Sequence, residues 1–354
     1  MNYDILTKGR SHLHELAVHL QHDINFNKLI SCWPKFKFKG VEKEKIESYF
    51  YIYFLHHFFS KYIDIEDFLL KFSCSKRPKS HKAIVDVNLA KFVIDKYEHT
   101  YLDHPTNSYF YQISQWEYEE NLTGIKIPRL QKLKKLYTQN EITNIYQKST
   151  KIIVPSLSSV ASFPDEFKQK LEYIPFWFPQ FSNVKINVQN TREKTICFIG
   201  IVCPSKGIHY LVDALNLISY EGTLHIFGST ANELYMQYIL GKAKFKIIFH
   251  GHLAQQELFI DVKNMDLAVM PSVSEGLPLS YLQALSLGVP VIASEDSSLR
   301  EIIGNENIYS TRDVEDIANK ISFFFTAGVY SIKNKVEKYT IENYIKKWRE
   351  LINE

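Results

Sequence analysis

Residues from Lys194 onward alternate short apolar segments with longer amphipathic ones, and this alternation constrains the fold more than any other feature of the chain. The apolar segments TICFIGIV, LHIFG, FKIIFHG, LAVMPS and VPVIAS have the length and composition of strands, and VPVIAS is predicted to be buried on both faces. Between them, segments such as IHYLVDALNLI repeat apolar residues every three or four positions, as amphipathic helices do. The sequence therefore predicts a doubly wound α/β domain with a parallel sheet.

Ligands of such domains bind beyond the carboxyl ends of the strands, where three loops are predicted, at residues 200–207, 250–253 and 272–280. In the third loop, Glu275 to Pro278 form a turn before a helix whose first backbone N–H groups have no intrahelical partner. Such a helix start favours phosphate, and a carboxylate such as Glu275 accepts hydrogen bonds from sugar hydroxyls. Two interpretations follow: a site for a sugar joined to a diphosphate, or a surface helix with a solvated Glu275.

The first half of the chain is less regular but shows the same alternation. We predict an opening strand at Tyr3–Leu6, a helix at HLHELAVHLQ, strands at AIVDVN and TYLDH, and a closing strand at TKIIVPS. His104 follows the TYLDH strand, so it is our candidate for the residue beside the reacting atoms, with Asp103 orienting its ring. The alternative is a structural turn histidine next to Pro105. The aromatic segment KIESYFYIYFLHHFFSKYI fits neither period and is predicted to fill core or to form an apolar surface.

Length and composition limit the class of protein. At 354 residues the chain suits two domains, and 45% hydrophobic with 23% charged residues is typical of a globular protein. No apolar run reaches the length of a membrane span, and the N-terminus lacks the features of an export signal, which predicts a cytoplasmic protein. The four cysteines lack metal-site spacing, so no metal is expected, and a net charge of +3 predicts no nucleic-acid partner.

A series of motifs between residues 195 and 305 has a characteristic order and spacing. The motifs are Gly200 with Lys206-Gly207, Gly228, Phe249-His250-Gly251, Pro271-Ser272, Glu275-Gly276-Leu277-Pro278, Ala284, Gly288 to Ser294, and Arg300-Glu301-Ile302-Ile303. This series resembles the donor domain of retaining glycosyltransferases of family four. The resemblance implies the α/β GT-B fold, in which two Rossmann-like domains face a central cleft and a C-terminal helix crosses back to the first domain. It also implies a nucleotide-diphosphate sugar as donor, UDP- or GDP-linked, from which a hexose-type sugar is transferred with retention of anomeric configuration.

The resemblance also assigns residues to the site. His104, Lys206 and Glu275 are the candidate catalytic residues, and no enzyme nucleophile is expected, because the leaving phosphate and the incoming hydroxyl act on the same face of the sugar. The donor is expected to contact Gly9, Arg10, Gly200, Lys206, His250, Gly251, Glu275, Gly276, Leu277, Pro278, Leu279 and Gln283. Arg10 is included because it stands where the family has a glycine-rich loop; the alternative is an exposed arginine before a helix.

Two positions depart from the family pattern. Ile201 stands where the family has a phosphate-binding arginine, which leaves Lys206 as the remaining cation of that turn. Gln283 stands where the family has a ribose-binding glutamate, and its amide either bonds the ribose more weakly or closes a capping box with Ser280. The departures leave a non-catalytic GT-B scaffold or glycan-binding partner as the alternative function. A dinucleotide oxidoreductase is disfavoured because neither half has a GxGxxG after its first strand.

We place the domains at residues 1–180, 181–335 and 336–354, the last containing an amphipathic crossover helix, TIENYIKKWRELINE. The expected acceptor is a glycan or lipid-linked sugar of a bacterial surface polysaccharide such as capsule, O-antigen or lipopolysaccharide. The basic segments KFKFK and KIPRLQKLKK could dock on anionic lipid at the inner face of the cell membrane. The alternative for KFKFK is an exposed edge strand with its lysines outward.

Overall fold

The computed structural model describes residues 2–7, 11–31, 34–48, 82–178, 194–327 and 339–354. The N-terminal sheet contains β1 (Tyr3–Thr7), β2 (Phe26–Ser31), β3 (Ile46–Ser48), β4 (Lys82–Asp86), β5 (His99–Asp103), β6 (Lys151–Val154) and β7 (Leu171–Tyr173). The strand order is β3-β2-β1-β4-β5-β6-β7 and every pairing is parallel. All carboxyl ends therefore lie at one edge, and the strand order reverses between β1 and β4.

The second sheet has the same organisation. It contains β8 (Thr195–Ile199), β9 (Thr223–Phe227), β10 (Lys246–Gly251), β11 (Leu267–Met270), β12 (Val291–Ser294) and β13 (Ile308–Tyr309). These strands are parallel in the order β10-β9-β8-β11-β12-β13. The reversal of strand order falls between β8 and β11, so the loops after these two strands line the crevice where ligands of such sheets bind.

Helices cover the two sheets. Those of the N-terminal half are α1 (His12–Leu20), α2 (Ala90–Val93), α3 (Tyr109–Thr123), α4 (Pro128–Leu136), α5 (Gln139–Lys148) and α6 (Leu157–Ala161). Those of the C-terminal half are α7 (Ile208–Leu217), α8 (Glu233–Lys242), α9 (Gln255–Val262), α10 (Leu279–Ser286), α11 (Arg300–Ile303), α12 (Val314–Ala327) and α13 (Ile341–Asn353).

Local chemistry explains where these elements begin and which face they bury. The hydroxyl of Ser11 accepts from the Leu13 amide at 3.2 Å and caps α1, whose residues Leu13, Leu16, Ala17 and Leu20 are then buried at helical spacing. In β4, Ala83 and Val85 pack into one apolar cluster and Ile84 into the other. The strand is thus buried on both faces, as the sequence pattern predicts for a parallel sheet.

The C-terminal helix α13 crosses back to the N-terminal half, as expected. Its residues Tyr344, Trp348 and Leu351 are 2%, 0% and 5% exposed and pack in the same apolar cluster as α1. The ammonium group of Lys82, at the start of β4, donates to the carbonyl oxygen of Ile352 at 2.6 Å. The helix therefore packs on the first half through its apolar face, and a hydrogen bond from Lys82 to its last turn stabilises the contact.

The strands predicted from the sequence are present, and two expectations about the N-terminal half are wrong. TKIIVPS does not close the first sheet, because β7 pairs with β6 beyond it. KFKFK does not form an edge strand: Lys35–Lys37 is a single 3₁₀ turn that leaves Phe36 70% exposed and buries Phe38. Among the described residues, no helix has the length and apolar character needed to cross a bilayer.

Some predictions lie outside the described residues. The proposed domain boundaries after residues 180 and 335 fall between described segments and stay predictions. Most of the aromatic segment KIESYFYIYFLHHFFSKYI also lies outside them.

Candidate functional site

Glycine-containing turns form the carboxyl edge of the second sheet. The Gly200 amide donates to the Phe227 carbonyl at 2.8 Å, and the Gly228 amide donates to the Gly251 carbonyl at 2.8 Å. A Cβ on Gly228, whose φ is +141°, would lie 1.9 Å from the Gly200 carbonyl oxygen. The ends of β8, β9 and β10 therefore approach one another through backbone alone, which leaves an open edge beside Lys206.

Lys206 and Glu275 meet at this edge. Lys206 ends the 3₁₀ turn Pro204–Lys206, which stops at Gly207 with φ +64°. Its ammonium group forms an ion pair with Oε1 of Glu275, and the two side chains are 25% and 16% exposed. The two candidate site residues, 69 positions apart in sequence, are therefore in direct contact and open to the cleft.

The loop that carries Glu275 is held by its backbone. The Glu275 amide donates to the carbonyl of Asp296 at 3.1 Å, and the Ser298 hydroxyl donates to the Glu275 carbonyl at 2.7 Å. Both backbone groups of Glu275 are thus fixed from the segment after β12, while its carboxylate pairs with Lys206. These partners follow VPVIAS in sequence, but no local pattern there predicts a contact with Glu275.

Helix α10 starts directly after this loop without a side-chain cap. Pro278 is its N-cap, and within the described residues the amides of Leu279 and Ser280 donate to no protein acceptor. The Ser280 hydroxyl donates to the Ile199 carbonyl at 3.4 Å, and the half-buried Gln283 side chain makes no hydrogen bond there. The predicted capping box is therefore wrong, and Gln283 remains available to a ligand.

Ile201, which stands where the family has a phosphate-binding arginine, is exposed. Its side chain is 49% exposed, directly after Gly200. A residue at this position therefore borders the same edge as Lys206, and the edge has one cation fewer than the family pattern.

The two halves of the chain touch at the Glu275 loop. A Cβ on Gly276 would lie 2.0 Å from the carbonyl oxygen of Pro105, which follows β5. Beside it, the Asn107 amide donates to the Ser274 hydroxyl at 3.0 Å. Gly276 is therefore needed where the backbones of the two halves meet. The position of Asn107 after the TYLDH strand predicts a cleft residue, but no sequence pattern predicts its contact with Ser274.

His250 lies among aromatic rings at the end of β10. Its ring stacks on Phe227 with centroids 4.3 Å apart, and its Nε2 lies 2.9 Å from Nδ1 of His225. The neighbouring Gly251 has φ +70° with open space around it. These two predicted donor-binding residues therefore border the same sheet edge as Gly200.

The structure places His104 inside the N-terminal half. The ring is 0% exposed; its Nδ1 donates to the Thr106 carbonyl at 3.0 Å, and its Nε2 accepts from the Tyr146 hydroxyl at 2.8 Å. Burial lowers the pKa of His104 to about 4, so the ring is neutral near pH 7. The predicted orientation of this ring by Asp103 is wrong, because the Asp103 carboxylate bonds His12 at 2.7 Å instead. This conformation favours a structural role for His104, and its catalytic role stays a prediction.

Two predicted donor-binding residues, Gly9 and Arg10, lie outside the described residues. The structure brings the others together at one edge. Gly200 and Lys206 follow β8, His250 and Gly251 end β10, and Glu275, Gly276, Leu277, Pro278, Leu279 and Gln283 belong to the loop after β11 or to α10. Their contacts with a donor stay predictions.

Part of the chain is similar to known glycosyltransferases. Residues 193–326 match the family model described as Glycosyl transferases group 1. A segment of 126 residues is 36% identical to an uncharacterized glycosyltransferase, MJ1607, of Methanocaldococcus jannaschii, and covers 34% of this chain and 32% of that protein. A segment of 135 residues is 27% identical to the serotype-specific mannosyltransferase WbdA of Escherichia coli, and covers 35% of this chain and 17% of that protein. The matched segments thus span a third or less of these relatives.

Solved structures match the whole architecture. The lipopolysaccharide outer core galactosyltransferase WaaB, in its apo form, superimposes with a TM-score of 0.66 at 15% identity over 100% of this chain and 99% of that one. Anabaena Alr3699/HepE in complex with UDP-glucose gives 0.67 at 12% identity over 100% and 99%. The fold is GT-B, as the motif series implied.

Proposed function

We propose that this GT-B chain, with its glycosyl transferases group 1 segment at residues 193–326, is a retaining glycosyltransferase that moves a hexose-type sugar from a nucleotide-diphosphate sugar. The observation that carries the proposal is the Lys206–Glu275 pair beside the uncapped start of α10. A cation and free backbone N–H groups suit the diphosphate, and a carboxylate next to them suits the hydroxyls of the attached sugar.

The proposal gives each cleft residue a task. Lys206 and the amides of Leu279 and Ser280 hold the diphosphate and stabilise the charge that develops on the leaving group. Glu275 leaves Lys206 when the donor enters and accepts hydrogen bonds from the sugar. Gln283 bonds the ribose. With a lysine and a helix start supplying positive potential, the proposal needs no metal ion.

The donor base and the acceptor are inferred from relatives. A neighbour of the same fold binds UDP-glucose, so we propose a UDP- or GDP-linked donor. WbdA is named a serotype-specific mannosyltransferase and WaaB a lipopolysaccharide outer core galactosyltransferase, which supports a glycan or lipid-linked acceptor of a bacterial surface polysaccharide. The exposed Phe36 between Lys35 and Lys37 suits contact with anionic lipid at the inner membrane face.

The test is a panel of UDP- and GDP-sugars in a thermal-shift assay, followed by calorimetry and by the rate of donor hydrolysis. At 100 times its dissociation constant, a bound donor adds about 2.7 kcal/mol to the unfolding free energy. Lys206→Ala should weaken nucleotide binding by about 1.5 to 3 kcal/mol, the contribution of a hydrogen bond to a charged group. Lys263→Ala, at an exposed position after α9, is the matched control and should bind as the native chain does.

A scaffold that only keeps the fold is the competing function, motivated by Ile201 and Gln283. It predicts neither a thermal shift nor release of nucleotide from any donor of the panel. Binding of a donor without hydrolysis or transfer would also favour it. Anomeric NMR signals of donor and product would test retention: an inverted product would exclude that part of the proposal.

A further inference from the structure

A separate group of polar side chains lies at the carboxyl edge of the N-terminal sheet. His12 begins α1, Asp86 ends β4 and Asp103 ends β5. The group therefore spans β1, β4 and β5, at the reversal of strand order where an open α/β sheet binds its ligands. Asp86 and Asp103 are partners in register, so their side chains leave the sheet on the same face.

His12 and Asp103 form an oriented pair across 91 residues of sequence. Nε2 of His12 donates to Oδ2 of Asp103 at 2.7 Å, and Asp103 itself is 2% exposed. Burial lowers the pKa of His12, but the charge and hydrogen bond of Asp103 outweigh burial and raise the pKa. Within the described residues Nδ1 bonds no protein group; it is an acceptor while the ring is neutral and a donor once the ring is protonated. The His12 side chain is 19% exposed, so a polar group from the cleft can reach it.

The contrast with His104 is direct. Both nitrogens of the buried His104 ring are bonded inside the N-terminal half, to Thr106 and Tyr146. His12 has one nitrogen held by a buried carboxylate and the other open, the arrangement in which a histidine receives a hydrogen bond from a substrate hydroxyl.

Asp86 adds a second acceptor beside this pair. Its Oδ1 accepts from the backbone and side-chain nitrogens of Asn88 at 2.8 and 2.7 Å, while its Oδ2 bonds no group within the described residues. Burial raises the pKa of Asp86, against the hydrogen bonds of Asn88, and the charge of Asp103 adds to the effect. The described residues contain no group of three or more His, Cys, Asp or Glu with metal-site geometry, so these acceptors suit hydroxyl donors better than a cation.

The segment after β5 links this pair to the donor loop. Two residues after Asp103, the Pro105 carbonyl lies against Gly276, which follows Glu275. The segment from Asp103 to Pro105 therefore contacts the loop that is proposed to hold the donor sugar. A hydroxyl bound at His12 would approach that sugar from the N-terminal side of the cleft.

We propose that His12, positioned by Asp103, accepts a hydrogen bond from a hydroxyl of the acceptor sugar, and that Asp86 binds a second hydroxyl of the same hexoside. This inference rests on the proposed glycosyltransferase function. It assigns to His12 the cleft position that the sequence suggested for His104, and it makes Asp103 a positioning residue.

Binding is tested first, by NMR of ring-labelled histidine. Methyl glucoside, methyl galactoside and methyl mannoside are titrated into the full chain with UDP or GDP present. We expect at least one hexoside to shift the ring signals of His12 and to leave those of His19, exposed on the same helix, in place. If none of the three moves the His12 signals, the inference is overturned.

Transfer to the octyl derivatives of the three hexosides is tested next, with the donor selected in the panel. His12→Gln should lower kcat/KM for the acceptor at least tenfold, and Asp103→Asn should do so less, with nucleotide affinity within twofold of the native chain. His19→Gln is the matched control. Equal transfer by His12→Gln and His19→Gln would refute the assignment, as would a large loss in His104→Gln alone.

The two proposals fail separately. If no donor binds, the proposed glycosyltransferase function is wrong, because the proposed donor site lies in the C-terminal half and does not include His12. If the chain binds and hydrolyses a donor but no hexoside shifts the His12 ring signals, only the acceptor assignment is wrong. Circular dichroism melting of each variant separates loss of fold from loss of function.

Discussion

The contact between Lys206 and Glu275 sets up a competition at the residue scale. The same ammonium group cannot fully serve a carboxylate and a diphosphate, so donor binding must displace Glu275 from Lys206. Both side chains are partly exposed, and the pair contributes little stability by itself, on the order of 1 kcal/mol or less. The cost of displacing Glu275 is therefore small, and the freed carboxylate is already beside the sugar position.

Glu275→Gln tests this competition. Removing the charge frees Lys206, so UDP or GDP should bind up to about fivefold tighter, while donor turnover should fall at least tenfold because a neutral amide holds the sugar hydroxyls less strongly. Calorimetry and donor hydrolysis measure the two effects. Glu221→Gln, at an exposed position before β9, is the control. Weaker binding of the bare nucleotide would show that Glu275 serves the diphosphate.

His104 makes a prediction about pH. Its pKa is lowered from 6.5 to about 4 by burial, so between these pH values the unfolded chain binds a proton that the folded chain does not. The free energy of unfolding should therefore fall as pH is lowered from about 6.5 to about 4, by on the order of 3 kcal/mol for this residue. Urea unfolding at several pH values should show a flatter dependence in His104→Gln than in His19→Gln. Parallel curves for the two variants would contradict the burial of a neutral ring.

At the scale of elements, the loop before α10 depends on the loop after β5. Gly276 approaches the Pro105 carbonyl so closely that a methyl group has no space, and the obstacle is backbone, which cannot rotate away. The adjacent hydrogen bond from Asn107 to Ser274 fixes the same pair of loops. The position of Glu275 is therefore set from both halves of the chain.

Gly276→Ala should push these loops apart. We expect a loss of about 1 to 3 kcal/mol in unfolding free energy and a larger loss of turnover than of nucleotide affinity, because Lys206 stays in place. Gly241→Ala in α8 is the matched control: nothing lies within 4 Å of its added methyl group, and alanine should stabilise the helix by roughly 0.5 to 1 kcal/mol. Equal stability of the two variants, measured by urea unfolding, would contradict the contact.

At the scale of the whole molecule, one buried carboxylate joins the two halves. Glu119 of α3 is 0% exposed and accepts from Nε of Arg312 at 2.8 Å and from the Tyr210 hydroxyl at 3.2 Å, while Nε2 of His209 lies 3.3 Å away. These three partners all belong to the C-terminal half. A buried carboxylate is unfavourable without hydrogen-bond or charged partners, so these contacts of Glu119 favour the association of the two halves in addition to apolar contacts.

Arg312→Gln should therefore cost about 3 to 5 kcal/mol, the typical effect of leaving a buried charge unpaired. Adding Glu119→Gln in the same chain should restore much of that loss, because the unpaired charge is then gone. Denaturant unfolding of the two single variants and the double variant forms the measurement. A double variant as unstable as the sum of the single ones would show that Glu119 and Arg312 do not depend on each other.

The sequence by itself determined the features that repeat along the chain or sit in one turn. Alternating apolar segments predicted the parallel strands, and the face of TIENYIKKWRELINE predicted which residues of α13 are buried. Lys206 and Glu275 could be named as site residues because each stands in a turn between a strand and a helix. Periodicity and turn chemistry depend on near neighbours, so they can be read without the fold.

Only the tertiary structure decided which of those residues meet. Asp103 is next to His104 in sequence, yet it bonds His12, because the chain turns at the end of β5 and α1 reaches over from β1. β7 has three residues and Lys35–Lys37 one turn, too short for any period to show. The need for glycine at position 276 comes from Pro105, 171 residues earlier, by a backbone approach with no signature in either segment. Burial, pairing and steric limits arise from residues distant in sequence, and no local pattern contains them.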